Sequence, residues 1–260
     1  MQTALAILSG VAVGLSLGLI GGGGSVLAVP LLFYVVGVAT PHAAIGTSAV
    51  AVTASALLSL VGHARARTVK WSCAVVFALF GMAGAAAGAT LGKMVDGQKL
   101  LALFGLLMIA VSALMLRRRS GGDVPDVKLD KTSASRLLPP LAGTGFLVGG
   151  FSGFFGIGGG FLIVPGLVSA TAMPLLNAIG SSLVSVAAFG ATTGVSYAHS
   201  GLVDWRIAAL FILGGAAGGF IGTSLAHRLA RQKQLLNRIF ATVVGAVGVY
   251  VAVRGVTALI

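Results

Sequence analysis

The feature that most constrains this chain is a glycine-rich passage that occurs twice inside apolar sequence. The chain reads LIGGGGSVLAVP from Leu19 and FFGIGGGFLIVP from Phe154, so that Pro30 recurs as Pro165, 135 positions later. A run of glycines interrupts a helix, because glycine is a poor helix former. Each copy therefore predicts two apolar segments separated by a break.

Composition places the chain in a membrane. Of its 260 residues, 57% are hydrophobic and 8% are charged, whereas about a quarter of the residues in soluble domains are charged. Stretches such as Trp71–Gly92 match the roughly 20 apolar residues that a helix needs to cross the bilayer. No Lys or Arg precedes the first apolar run, so we predict the first helix of the fold there and not a signal peptide.

The duplication extends well beyond the glycines. The sequence AIGTS recurs as AIGSS and Trp71 recurs as Trp205, both at an offset of 134. A polar stretch rich in charge, Gly and Ser separates the two copies. We predict a first repeat at residues 1–116, a basic linker at 117–136 and a second repeat at 137–260.

Each repeat predicts a Gly-broken pair of apolar helices followed by three long transmembrane helices. The fold class is thus an all-α membrane protein of two repeats with about 8–10 hydrophobic segments. The predicted helices are Thr3–Ile20, Val26–Val38, Ala43–Val61, Trp71–Gly92, Leu100–Leu116, Leu137–Phe155, Phe161–Ala172, Leu175–Ala198, Trp205–Ala226 and Leu235–Val253.

The basic residues predict how the repeats are oriented. If the linker lies in the cytoplasm, the cytoplasmic side has three basic residues just before Trp71, six in the linker and four at 228–238. The other side has four. This is a positive-inside bias, so the net charge of +12 is a topology signal rather than a sign of nucleic-acid binding. The broken pair returns to its own side and three long helices cross, so each repeat crosses the membrane an odd number of times. The second repeat is therefore inverted relative to the first. Both termini then lie outside.

Inverted repeats with matching Gly-interrupted segments are typical of secondary transporters, whose site lies near the midplane. Phe161–Ala172 is roughly 18 Å long, too short for a core of roughly 30 Å, so we predict a half-helix. A half-helix that begins after Gly24 or Gly160 presents unpaired N–H groups to the break, which suits an anion. A tight turn without function is the alternative for these glycines, whereas Gly10, Gly14 and Gly18 predict a helix-packing stripe.

Hydroxyl groups follow each break at the start of the next helix, although such side chains often bond to their own helix. The predicted substrate-binding residues are Gly22, Gly23, Gly24, Ser25, Thr47, Ser48, Gly158, Gly159, Gly160, Asn177, Ser181 and Ser182.

Acidic residues are scarce and badly placed for cation transport. The chain contains five Asp and no Glu, and each Asp falls in a loop or at a helix end of the predicted pattern. Cation transporters usually keep an ionisable residue inside the membrane. The predicted substrate is therefore an anion, and neutral donors favour one of low charge.

The four histidines lie near membrane boundaries or in loops, where we expect solvated side chains. If transport is proton-coupled, His42 and His63 are the candidates, because histidine titrates near neutrality. The scattered histidines and the single cysteine predict no metal site. The sequence has no nucleotide-binding motif, so we predict no cofactor.

The order of these motifs resembles the sulfite exporter TauE/SafE family of bacterial membrane permeases. The resemblance rests on GGGGSVLAVP and GIGGGFLIVP, AIGTS and AIGSS, and VKW and VDW, and it covers the chain outside the linker. It implies transport, commonly export, of sulfite, sulfonates or related sulfur-containing anions across the cytoplasmic (inner) membrane. Any role of the family's Asp in VDW passes to Asp204 alone, since the first repeat has Lys70 there.

The predicted mechanism is alternating access, in which two inverted bundles rock around an anion held between the breaks near the midplane. The rival functions are an anion channel, an importer of another small organic anion, and a membrane enzyme, for which we find no catalytic group. The expected partners are the anion and the lipid bilayer, without nucleic acid, and a homo-oligomer is left open.

Overall fold

The structure, a computed structural model, describes residues 1–117, 133–156, 160–228 and 233–257. Within these ranges every regular element is a helix, which confirms the predicted fold class. Helix α2 combines a 3-10 segment Gly21–Leu27, an α-helical turn Ala28–Pro30 and a π-helical turn Leu31–Val35. The others are α1 Gln2–Ile20, α3 Pro41–Arg65, α4 Trp71–Met94, α5 Gly97–Arg117, α6 Ala134–Phe155, α7 Gly160–Thr171, α8 Leu175–His199, α9 Trp205–Arg228 and α10 Lys233–Thr257.

In the described part of the chain, seven helices are long and apolar enough to cross a membrane: α1, α3, α4, α5, α6, α8 and α9. Helix α7, with 12 residues, spans roughly 18 Å and is short, as predicted. Trp71 and Trp205 begin α4 and α9 and are 52% and 63% exposed, as suits aromatic side chains at a membrane surface.

The first broken pair returns to the end of the bundle where it started. The Gln2 side chain, at the start of α1, donates a hydrogen bond of 3.2 Å to the Val36 carbonyl just after α2. The prediction that the second member begins after Gly24 is wrong, because α2 begins at Gly21 and the glycines are helical. The absence of Cβ atoms permits this: a Cβ on Gly24 would overlap Ser16 and Leu17 of α1.

The two halves of the sequence do not form separate bundles, so that expectation is wrong. Helix α1 packs most closely on α9 of the other half, and α6 packs in the same way on α4. A Cβ on Gly14 would overlap the Gly215 carbonyl, and a Cβ on the equivalent Gly149 would overlap the Gly81 carbonyl. Small residues let these backbones touch, which confirms the predicted packing stripe. Two interleaved groups result, α1, α2, α3 and α9 in one and α4, α6, α7 and α8 in the other, while α5 packs mainly on α10.

Helices α3 and α8 pack antiparallel and join the two groups, as does the contact of α2 with α7. Gly46 near the start of α3 lies against Tyr197 near the end of α8, and Gly190 farther back along α8 lies against Thr53. We call the end where α3 begins and α4 and α8 finish the Lys93 end. The opposite end, where α4 and α8 begin, is the Lys70 end.

Candidate functional site

Both helix breaks turn at a glycine in the left-handed region. Gly21 has φ +70° and Gly156 has φ +65°, and the two are 135 positions apart. Other residues rarely adopt this backbone conformation. A Cβ on Gly21 would meet Ile179 of α8, and a Cβ on Gly156 would overlap Ile45 of α3. Each break is therefore pressed against the third helix of the opposite repeat.

Ser48 and Ser182 lie beside these breaks and use their hydroxyl protons within the protein. Ser48 Oγ is within hydrogen-bond distance of the Ile45 carbonyl, at 2.8 Å, and of the Gly156 carbonyl, at 3.1 Å. Ser182 Oγ donates to the Ile179 carbonyl at 2.7 Å and lies where a Cβ on Gly21 would contact it. Ser48 therefore positions the break at Gly156, and Ser182 packs beside the break at Gly21.

Thr47 and Ser181, in contrast, act as hydrogen-bond acceptors, since both accept from a backbone N–H. Thr47 Oγ1 accepts from the Asp204 N–H at 2.9 Å, and Ser181 Oγ accepts from the Lys70 N–H at 2.9 Å. Both side chains are fully buried, and neither donates to an acceptor among the described residues. Each therefore keeps a hydroxyl proton that an anion can accept.

The predicted site residues form two groups rather than one. Thr47 follows Gly46, which packs on Tyr197, and Tyr197 lies sixteen residues beyond Ser181 on α8. At 1.5 Å per residue, this places Thr47 and Ser181 roughly 24 Å apart along the bundle. One small anion cannot touch both, so the expectation of a single site shared by both hydroxyl pairs is wrong for this structure. We name the two groups half-sites: Thr47, Ser48 and Gly156 at the Lys93 end, and Ser181, Ser182 and Gly21 at the Lys70 end.

At the Lys70 end, the side chains of Asn177 and His63 are paired within the protein. Asn177 donates from Nδ2 to the Thr68 carbonyl at 2.9 Å. His63 is fully buried, not solvated as expected, and its Nδ1 lies 3.0 Å from Thr68 Oγ1. The His63 Nε2 lies 3.4 Å from the Gly18 carbonyl of α1. These contacts tie the end of α3 to α1 and to the loop before α4.

The remaining predicted residues belong to the breaks themselves. Ser25 is fully buried in the 3-10 segment of α2, which also contains Gly22 and Gly23. Gly160 begins α7, one residue before the predicted start at Phe161. Gly158 and Gly159 lie outside the described residues.

At the Lys93 end, His42 lies in the first turn of α3 rather than in a loop, and its Nδ1 is buried without a hydrogen-bond partner in the described part of the chain. Its ring centre is 6.4 Å from that of Tyr197. Lys93, in the last turn of α4, reaches over the same Tyr197 ring. Among the described residues, no three His, Cys, Asp or Glu side chains are placed to hold a metal.

Comparison with known proteins decides the family. The profile of the family described as "Sulfite exporter TauE/SafE" matches residues 6–251, nearly the whole chain. The chain belongs to the sulfite exporter TauE/SafE family. It is therefore a membrane transporter and not an enzyme.

Relatives of this TauE/SafE chain carry names that agree. A "Probable membrane transporter protein" of Xylella fastidiosa (strain 9a5c) is 53% identical over 97% of this chain and 95% of its own length. The "Probable membrane transporter protein YunE" of Bacillus subtilis (strain 168) is 26% identical over 96% and 98%. No solved structure matches the chain.

Sequence reasoning missed the break glycines Gly21 and Gly156 and the polar pair Tyr197 and Lys93 of this TauE/SafE protein. The repeat offset carried a signal for the first pair, since Gly21 recurs as Gly156. It also aligns Tyr197 with His63 at the offset of 134. Nothing in the sequence marked Lys93, which becomes notable only when α4 and α8 end side by side.

Proposed function

We propose that this TauE/SafE protein is a secondary transporter that exports sulfite, organosulfonates or related sulfur-containing anions by alternating access. The observation that carries the proposal is the equivalent placement of Thr47 and Ser181. Each is buried, directly precedes a serine that lies beside a helix break, accepts a backbone N–H and keeps its own proton for donation. A hydroxyl held in this way is a donor fixed in position, which suits an anion.

Two half-sites at opposite ends fit a carrier whose pathway opens at one end at a time. In the proposal, the anion is bound by Thr47 and the start of α7 at the Lys93 end, and by Ser181 and the glycines of α2 at the Lys70 end. The N–H groups at a helix start favour an anion through the helix dipole. Ser48 holds the break at Gly156 in place through its contact with the Gly156 carbonyl, and Ser182 packs beside the break at Gly21.

The moving bodies in this mechanism are the two interleaved groups, not the two halves of the sequence. The contacts between α1 and α9 and between α4 and α6 are glycine-lined and continuous, so each pair moves as one unit. The antiparallel contact of α3 with α8 and the contact of α2 with α7 are the surface along which the groups shift. The repeated contacts support inverted repeats related by an axis in the membrane plane.

We place the protein in the inner membrane of a bacterium, with the Lys70 end and the central linker in the cytoplasm and both termini in the periplasm. The support is the distribution of Lys and Arg along the chain. Alkaline phosphatase fused after Ile260 tests the orientation. The fusion should be active in the periplasm, and an inactive fusion at normal expression would overturn the orientation.

The function is tested by uptake of radiolabelled sulfite into proteoliposomes under argon, with and without a pH gradient. Sulfate, taurine and sulfoacetate serve as competitors. We expect saturable uptake that sulfur oxyanions inhibit and that Thr47→Ala and Ser181→Ala both weaken. Absence of uptake of any sulfur anion by folded protein would overturn the assignment.

An anion channel and an importer of another organic anion are the alternatives, and one further measurement distinguishes them. A carrier loaded internally with unlabelled sulfite accelerates entry of labelled sulfite by exchange, whereas a channel does not. A steady current without exchange would favour the channel. Export in intact cells is measured by the loss of preloaded sulfite, which an importer would not accelerate.

A further inference from the structure

Three polar side chains meet at the Lys93 end, beside the break at Gly156. The break rests on Ile45, and the next residue, Gly46, packs against Tyr197. The Lys93 ammonium lies 5.8 Å from the centre of the Tyr197 ring, and the His42 ring lies 6.4 Å from it. The cluster of His42, Lys93 and Tyr197 is therefore adjacent to the half-site that contains Thr47.

Two polar atoms of the cluster are buried without a partner. The Tyr197 hydroxyl and the His42 Nδ1 make no hydrogen bond to any described residue, and Tyr197 is fully buried. Buried tyrosine hydroxyls normally find a partner, because desolvating one without compensation is costly. A tyrosine hydroxyl can donate to an anion, as can a protonated ring nitrogen of histidine.

The charge of Lys93 is also uncompensated by a carboxylate among the described residues. Its ammonium contacts three neutral acceptors, the Ser196 carbonyl at 3.2 Å, Ser196 Oγ at 3.0 Å and Ser200 Oγ at 3.2 Å. The Asp96 carboxylate at this end accepts N–H groups at the start of α5, and that of Asp204 does the same for α9. A cation without a counter-ion attracts an anion most strongly where water is partly excluded.

The repeat-equivalent region at the Lys70 end is different. His63 occupies the position equivalent to Tyr197, and both of its ring nitrogens contact protein atoms. Asn177 there donates to the Thr68 carbonyl. At this repeat position the side chain has protein partners at the Lys70 end, whereas the Tyr197 hydroxyl at the Lys93 end has none among the described residues.

We propose that Lys93, Tyr197 and His42 form an outer anion site that takes a small oxyanion with a sulfite or sulfonate head group. Lys93 supplies the charge, and the Tyr197 hydroxyl and His42 Nδ1 donate hydrogen bonds to the oxygens. The site rests on the proposed function, since it lies next to Thr47 at one end of the proposed pathway. It gives the two ends of the carrier different affinities.

The test uses the full-length protein in two forms. In phospholipid-free micelles under argon, we measure how sulfite raises the melting temperature, and in proteoliposomes we measure the KM of sulfite uptake. The variants are Tyr197→Phe, Lys93→Met and Lys93→Arg. The matched control is Lys99→Met, because Lys99 is an exposed lysine in the first turn of α5 at the same end.

Tyr197→Phe and Lys93→Met should each raise the KM, and the sulfite concentration for half-maximal stabilisation, about tenfold, which is typical for loss of a bond to a charged group. Lys93→Arg should restore most of the affinity, and Lys99→Met should change neither value. Without sulfite, Tyr197→Phe should melt at the same or a higher temperature, because it removes an unpaired buried hydroxyl.

The experiment distinguishes failure of the proposed site from failure of the proposed function. Wild-type affinity in both Tyr197→Phe and Lys93→Met, with sulfite transported, would overturn the site and leave the function standing. If Lys93→Met does not fold, Tyr197→Phe decides alone. Wild-type protein that neither binds nor moves sulfite would overturn the function and the site together. Stabilisation by phosphatidylglycerol that depends on Lys93, with sulfite affinity unchanged in the variants, would assign the cluster to a lipid head group and overturn the proposal.

Discussion

Thr47 on α3 accepts a hydrogen bond of 2.9 Å from the backbone N–H of Asp204, which lies 157 residues later. The equivalent bond joins Ser181 to the N–H of Lys70. Each bond ties the first turns of one repeat's third helix to the loop before the fourth helix of the other. The hydroxyls that the sequence singled out thus hold the repeats together while keeping a proton to donate.

Replacing Thr47 by Ala should affect both stability and substrate affinity. The Asp204 N–H loses its acceptor, which costs about 1–3 kcal/mol of unfolding free energy. The lost donor should also raise the KM for the transported anion about tenfold. Thermal melting in detergent and initial uptake rates measure the two effects separately.

Ser48→Ala is the informative comparison, because the Ser48 proton is already donated to backbone carbonyls. We expect a loss of about 1 kcal/mol in stability and a KM within about twofold of wild type. Thr192→Ala removes a hydroxyl that bonds within its own helix, to the Ala188 carbonyl, and controls for simple truncation. An equal KM rise in Thr47→Ala and Ser48→Ala would contradict the distinction drawn between the two hydroxyls.

Two glycines of α6 should respond oppositely to alanine. A Cβ on Gly149 would overlap the Gly81 carbonyl, whereas a Cβ on Gly143 meets nothing within 4 Å. Gly149→Ala should destabilise by about 1–3 kcal/mol through overpacking, and Gly143→Ala should be neutral or stabilise by up to about 1 kcal/mol. Melting temperatures in the same detergent compare them, and an equal loss in both variants would mean that the close α4–α6 contact is absent.

Much of the fold could be predicted because apolar length and repetition determine it. The starts of α4 and α9 at Trp71 and Trp205 agree with prediction, since a span begins where polar sequence ends. The start of α2 at Gly21 could not be predicted from propensity. Gly24 lies against α1 and Gly21 against α8, and packing of this kind overrides local preference.

The candidate site was less predictable, because the sequence gives the residue types but not the distances between them in the fold. Thr47 and Ser181 recur in the sequence, but their separation follows from the antiparallel packing of α3 on α8. Tyr197 and Lys93 are far apart in sequence and meet only because α4 and α8 end together. Pairing of helices across the two repeats is long-range information that periodicity does not carry.

The interleaved packing predicts that neither repeat is stable alone. We would divide the gene within residues 118–132 and express the two pieces separately and together, with an affinity tag on one. Separately, each piece lacks its main packing partner, α9 for α1 or α4 for α6, and should be degraded. Together, they should copurify from membranes. Stable, monodisperse pieces that do not associate would show that each repeat packs on itself.

The half-sites also predict a preference for singly charged anions. Their donors are hydroxyls and helix-start N–H groups, and the Lys93 ammonium lies near the half-site that contains Thr47. Burial of a second negative charge without a partner is costly, and a difference of about 1.4 kcal/mol corresponds to tenfold in binding. Methanesulfonate should therefore inhibit sulfite uptake at about one tenth of the sulfate concentration, with gluconate added to match ionic strength. Stronger inhibition by sulfate would show that further positive charge faces the anion and would contradict this preference.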